Sequence, residues 1–165
     1  MNTLLNRLTD TLNATALSGF VMDNAVVFPA LEMAHFLGLC LLFGALLVVD
    51  LRVVGFARAI PIARAEIFVR FALIGFAINL VSGLMFVVGD SDRYLVNIAF
   101  WTKMGMIVAA GLNTAYFVRR VKPQMDEGVD SSELTPDARV VAWLSLALWT
   151  GVIILGRFIP YVEDL

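Results

Sequence analysis

Histidine and cysteine are nearly absent from this chain: 165 residues carry one of each, His35 and Cys40. A lone cysteine excludes an intrachain disulfide and any cysteine-rich metal framework. Charge is scarce too. Asp, Glu, Lys and Arg make up 16% of the residues, against about 25% in soluble domains. The formal net charge is −2, and no basic cluster exceeds Arg119, Arg120 and Lys122, so nothing provides an electrostatic footprint for nucleic acid. Also missing are a Ser-His-Asp or Cys-His arrangement and a phosphate-cradling glycine loop, which removes hydrolase and nucleotide-enzyme readings. Internal repeats and low-complexity segments are lacking, so residues 1–165 read as one transmembrane domain.

Apolar residues fill the space left by charge. They form 60% of the chain and its mean hydropathy is +0.85, the composition of an integral membrane protein rather than a soluble domain. Crossing a bilayer takes about 20 apolar residues, and four stretches are long enough: 26–54, 67–89, 95–118 and 140–161. The expected fold class is an all-α membrane four-helix bundle with an N-terminal interfacial amphipathic helix. Arg58, Pro61 and Arg64 interrupt the first pair, Gly89-Asp90-Ser91-Asp92 reads as a tight turn, and 123–137 is a polar, acidic loop. Thr135 before Pro136 reads as an N-cap followed by proline at the first helical position.

Lysine and arginine set the orientation. Arg52, Arg58, Arg64 and Arg70 flank the first loop, Arg119, Arg120, Lys122 and Arg139 flank the third, and the second has only Arg93. The positive-inside rule puts loops one and three in the cytoplasm. Both termini then face the periplasm of a bacterial inner membrane. Near the N-terminus, Leu4, Leu5, Leu8, Leu12 and Ala16 recur at helical spacing with no signal-peptide core, which predicts a helix over about 3–18 lying on the outer membrane face.

Ionisable groups inside a span cost on the order of 2.5–3.5 kcal/mol each on insertion scales, so each one is a functional clue. Counting at 1.5 Å per residue places Glu32, His35, Asn79, Ser82, Lys103 and Arg157 roughly 5–14 Å below the outer boundary, in a single layer. These six residues are the expected cofactor-binding set. Glu32 and Lys103 at matching depth predict an ion pair, which offsets the cost of burying either alone; on the plainest reading that pair only locks helix register. Asp50, Arg52 and Arg70 are near enough to the opposite surface to reach water by snorkelling.

Ligand chemistry narrows by donor count. Glu32 and His35 make half a di-iron motif, without the second half or the further carboxylates that such a site needs. A zinc or copper site from His35, Glu32 and Met33, Met104 or Met106 is short of ligands. Haem b would use His35 as its axial ligand, with Lys103 and Arg157 on the propionates; with one histidine it needs Met as the second ligand, a five-coordinate iron, or a symmetric dimer sharing His35. A quinone demands less: His35 and Glu32 handle protons, and Phe100 and Trp101 flank the ring. Trp101, Trp143, Tyr94, Tyr116 and Tyr161 read as interfacial belts, Trp149 as helix packing, and the glycines as close helix contacts.

The runs Glu32-Met-Ala-His35, Asp50-Leu-Arg52-Val-Val-Gly55, Gly83-Leu-Met-Phe86, Tyr94-Leu-Val-Asn97 and Phe100-Trp-Thr-Lys103, with Asn113, resemble an uncharacterised family of small four-helix bacterial inner-membrane proteins. More distantly they resemble copper-resistance D-type membrane domains and small b-type cytochromes. The likeness covers about 25–120. It implies a four-span bundle with Glu32, His35, Asp50, Arg52 and Lys103 as motif positions; the cytochrome likeness implies haem between helices, for which those proteins use paired histidines.

The leading expectation is a redox-associated membrane subunit holding a quinone or haem-like cofactor in a polar pocket of the periplasmic half, a non-catalytic or electron-transfer subunit rather than a stand-alone enzyme. The alternatives are an accessory subunit of a larger membrane complex, with a purely structural Glu32–Lys103 pair, and a transporter for a small solute or ion. Expected partners are the lipid bilayer and a homo-oligomer or other membrane subunits.

Overall fold

The computed structural model describes residues 2–162, without the side chains of residues 2–4, 63 and 66; Leu4 of the N-terminal pattern is thus outside the described side chains. The described residues form α1 (Asn2–Asn13), α2 (Ala16–Met22), α3 (Val27–Val54), α4 (Glu66–Gly89), α5 (Ser91–Leu95), α6 (Ile98–Tyr116), α7 (Lys122–Asp126) and α8 (Pro136–Phe158). Short 3-10 turns cover Ile62–Ala65 and Ile159–Tyr161, and a π turn covers Phe117–Val121. Three segments, Val27–Val54, Ile67–Gly89 and Pro136–Tyr161, are long and apolar enough to cross a membrane. Their outward faces, with Leu73, Leu80, Leu84, Val140 and Ile154 exposed, suit lipid. α6 is shorter and carries Lys103 and Asn113 in its 19 residues.

Helix ends follow local chemistry. α3 stops at Gly55, whose φ of +101° lets its N–H and that of Phe56 close onto the carbonyl of Leu51, a left-handed cap that glycine adopts without steric cost. Asn97 caps α6 by accepting from the N–H groups of Ala99 and Phe100. Thr135 stands at the expected cap position of α8, but its hydroxyl makes no cap bond; it accepts from Gln124 Nε2 at 3.1 Å instead.

Three sequence expectations change here. The helix expected over 3–18 is broken, because Thr15 accepts from Ser18 N and starts a second helix. The third stretch, expected from residue 95, begins at Ile98, and the anticipated tight turn is the short helix α5. Buried polar contacts explain α5: Ser91 is fully buried and donates to Asn13 Oδ1 at 2.7 Å, while Asn13 donates to Asp92 at 2.7 Å. Ser18 donates to the Gly89 carbonyl at 3.2 Å. The N-terminal helices therefore cap the α4–α5 junction.

The long helices pack as two pairs joined on one side: α3 lies along α4, α6 along α8, and α3 also along α8. Contact between α3 and α4 is backbone to backbone. A Cβ on Gly75 would stand 2.5 Å from Leu42 N and 2.6 Å from the Gly38 carbonyl oxygen, so only glycine permits that approach. α6 and α8 are pinned by asparagines: Asn97 donates to the Ile159 carbonyl at 2.9 Å, and Asn113 to the Val141 carbonyl at 3.0 Å. α4 and α6 share no packed interface. A groove runs between them.

At the end of the bundle formed by the loops, a core of Val53, Ile62, Phe117, Val121, Met125 and Leu134 is sealed from solvent. Arg52 was expected to snorkel, and the structure corrects this: it is 4% exposed. Its guanidinium donates to the Ile60 carbonyl at 2.6 Å, to Ser131 Oγ at 2.7 Å and to Asp130 Oδ1 at 2.7 Å, fastening both loops. A fork of fixed geometry makes this possible where an ammonium cannot.

Two predictions follow the packing. Gly75→Val forces α3 and α4 apart and lowers stability by about 1–3 kcal/mol or more, measurable as thermal unfolding in mild detergent. The Arg52 hydrogen bond holds the Asp130 carboxyl below its ordinary pKa, so the attachment is fully present above about pH 3.9, the unfolded value, and is lost as pH falls through the depressed folded value. Proteolytic nicking of the 127–135 loop should rise in that acid range in the wild type, and Asp130→Asn should be nicked readily at neutral pH.

Candidate functional site

The expected outer layer is only partly assembled. His35 on α3 is half-buried and its Nδ1 lies 2.8 Å from Ser82 Oγ on α4, with the Phe86 ring 5.3 Å from the imidazole. Lys103 on α6 is half-buried and close enough to act electrostatically on His35. Its Nζ lies over Gly156, where a Cβ would be 3.3 Å away. Asn79 is committed to packing: it donates to the Gly75 carbonyl at 2.9 Å and lies against Gly38.

Glu32 and Arg157 do not join them. Glu32 is exposed on α3, and no ion pair between it and Lys103 exists among the described residues. The anticipated pairing fails because equal depth does not fix azimuth: α3 and α6 are not packed neighbours. Arg157 is exposed, bonds Tyr161 Oη at 3.2 Å and stacks over its ring.

A better-formed site lies in the other half of the bundle. A cavity of about 210 Å³ is walled by all four long helices, including Leu46 and Asp50 from α3, Phe76 from α4, Ile107 from α6, and Ser145 and Trp149 from α8. Its mouth is the α4–α6 groove, flanked by the exposed Leu73 and Gly111. The wall is apolar save for a few groups. Asp50, 3% exposed, contacts the Ser145 hydroxyl, yet its Oδ2 has no hydrogen-bond partner among the described residues. Trp149 Nε1 is equally unpartnered, its ring held edge-on to Phe76 at 6.2 Å.

Orphaned buried polar atoms are rare because each costs about 1–3 kcal/mol. Arg52 does not compensate Asp50, since its donors all point to the loops. The carboxyl and the indole N–H are therefore free to meet a guest. Counting residues from the span end placed Asp50 within reach of water, and read Trp149 as packing. The missed signal was that Asp50, Asn113 and Ser145 are polar residues on three different stretches at similar distance from the loop end.

The fit of the other expected groups can be judged from donors and space. His35 does not line the cavity, and about 210 Å³ suits one ring rather than a tetrapyrrole, so the cavity does not fit haem b on His35. No cluster of three or more His, Cys, Asp or Glu side chains that could hold a metal ion occurs among the described residues.

With no guest in place, the orphaned atoms should cost stability. Trp149→Phe keeps the ring and deletes the unsatisfied N–H, so in delipidated protein it should be neutral or raise stability by about 1 kcal/mol; a loss of several degrees in the unfolding midpoint would show that the indole nitrogen is structurally needed.

No curated protein and no solved structure matches the chain, and the likeness to copper-resistance D-type domains and b-type cytochromes gains no support. Residues 15–162 match the family of unknown function DUF6644, and the chain is a member of that family.

Proposed function

We propose that this protein is a four-span membrane subunit that takes a lipid-soluble single-ring molecule of quinone type from the bilayer into the α4–α6 cleft, and that its role is to hold the ring and its protons rather than to carry out covalent chemistry. The observation that carries the reading is the pair of unpartnered buried atoms, Asp50 Oδ2 and Trp149 Nε1, on the wall of one cavity. An apolar cavity of about 150 Å³ accepts benzene, and about 210 Å³ leaves room for a substituted ring. The indole N–H supplies a donor for a ring carbonyl. Asp50 supplies an acceptor for a ring hydroxyl, or a donor when protonated.

The arginine distribution orients the bundle with its loop end in the cytoplasm and both termini in the periplasm of a bacterial inner membrane. On that orientation the cleft lies in the cytoplasmic half, the opposite half from the pocket expected on sequence grounds. α6 is the fourth span. Its polar residues face α8 and the bundle interior rather than lipid: Asn113 bonds the Val141 carbonyl, and Lys103 lies over Gly156.

The test is direct binding. Protein purified in lipid nanodiscs is titrated with a short-chain benzoquinone while tryptophan fluorescence is followed, and organic extracts of the untreated protein are chromatographed. Saturable quenching is expected, weakened about tenfold by Asp50→Leu and losing its main component in Trp149→Phe. Absence of saturation, together with extracts free of ring compounds, would sink the proposal.

A further inference from the structure

The cavity has an asymmetry that a ring alone does not use. Its unpartnered atoms lie deep, on Asp50 and Trp149, which are 3% and 6% exposed. Its mouth carries no charge. The lining residues from α4 are Val69, Ala72, Leu73 and Phe76, and those from α6 are Ile107, Gly111, Asn113 and Thr114. Asn113 is already committed to the Val141 carbonyl. A guest that satisfies the interior is therefore polar-edged at its inner end, and whatever part of it passes the mouth must be apolar, because a polar group there would lose its hydrogen bonds.

Gly111 marks where that part passes. Glycine weakens a helix interior relative to alanine, and in a membrane bundle the usual return is a close approach of neighbouring helices. Gly38, Gly75 and Gly151 show that return: an added Cβ at each would stand under 3.0 Å from the facing helix. A Cβ on Gly111 would meet nothing within 4 Å. Gly44 and Gly105 are open in the same way, but of the three only Gly111 lines the cavity. It is exposed, and with Leu73 it flanks the mouth. The missing side chain leaves a notch on the α6 side of the mouth. A helix of a second copy, about 10–12 Å across, covers such a notch without entering it and leaves Asp50 Oδ2 and Trp149 Nε1 unsatisfied. A single chain of methylenes passes through it.

We propose that the guest is a ring carrying one long alkyl or isoprenoid tail, held ring-inward, and that the tail leaves the protein over Gly111, between α4 and α6, into the bilayer. This rests on the ring-binding reading of the same cavity and adds the class of the molecule, its direction and the residue that passes the tail. Lipid is as apolar as leucine, so the groove gives the tail no affinity of its own. Gly111 acts through space: a side chain there obstructs a tailed ring and spares a bare one.

The experiment compares two probes in the same nanodiscs by tryptophan quenching, a tail-less benzoquinone and a decyl-substituted one. Each variant is referred to wild type, so that partitioning into lipid cancels. Gly111→Leu should weaken the decyl probe about tenfold, the cost of forcing bulk into an occupied space, and leave the bare ring within about twofold. Gly105→Leu, equally open but off the cavity, should change neither. A decyl probe with a diazirine at the first methylene of the tail should label residues 69–76 or 107–114 on photolysis. Equal weakening of both probes by Gly111→Leu, no weakening of either, or labelling confined to α3 and α8 overturns the proposal while leaving ring binding in place. So does Leu73→Cys in a Cys40→Ser background if it forms a disulfide-linked dimer in membranes, since a second copy then covers the groove. Absence of saturable binding by either probe removes the ring-binding reading itself, and the tail exit with it.

Discussion

The contact of α4 backbone on α3 backbone at Gly75 governs how the rest of the bundle is arranged. Once α4 lies that close to α3, α8 occupies the other flank of α3, and α6, tied to α8 by Asn97 and Asn113, is held away from α4. Four helices of ordinary apolar residues would otherwise close around their common axis. The cleft is thus a consequence of unequal spacing: one pair drawn in by glycine, the other fixed by side-chain amides, with α4 and α6 not closely packed. Small residues and polar bonds are what draw membrane helices together, because lipid is as apolar as leucine and gives no hydrophobic drive between them.

The positions of the helices could be read from hydropathy because every long stretch must satisfy its own backbone, which makes length and composition nearly sufficient. Azimuth could not. Glu32 and Lys103 share a depth but belong to helices that are not closely packed against each other, and depth counting cannot see that. Asp50 and Arg52 looked alike on the same argument, two charges near a span end; one is turned into the bundle and the other gathers the loops. Arg52 meets partners 78 and 79 residues away, and no local pattern announces such a contact. The His35–Ser82 bond, by contrast, joins residues already assigned to one layer, and their helices are the most closely packed pair.

Polar groups in this chain are sorted by whether their needs are met. Arg52, Asn97, Asn113, Ser91 and Ser18 have defined partners and hold elements together. Asp50 Oδ2 and Trp149 Nε1 have none, and Lys103 has no described carboxylate. Arg52, Asn97, Ser91 and Ser18 fasten loops and short helices at the two ends of the bundle, whereas Asn113 is satisfied within it. Asp50 Oδ2 and Trp149 Nε1 lie in the interior of α3 and α8, where an unmet hydrogen bond is costly and where helix packing alone would have favoured leucine.

That contrast is the strongest argument against a purely structural reading of the interior. A buried ion pair is often no better for stability than well-packed apolar residues of similar volume, and a buried carboxyl with no cation beside it is worse than either. Arg52, two positions along the same helix, does not face Asp50, and each of its three nitrogens bonds a loop residue, Ile60, Ser131 or Asp130. The arginine supports the loop end, and the Asp50 carboxyl is left on the wall of the cavity. A carboxyl oxygen and an indole N–H left without partners on the wall of one cavity are what the proposed guest would satisfy.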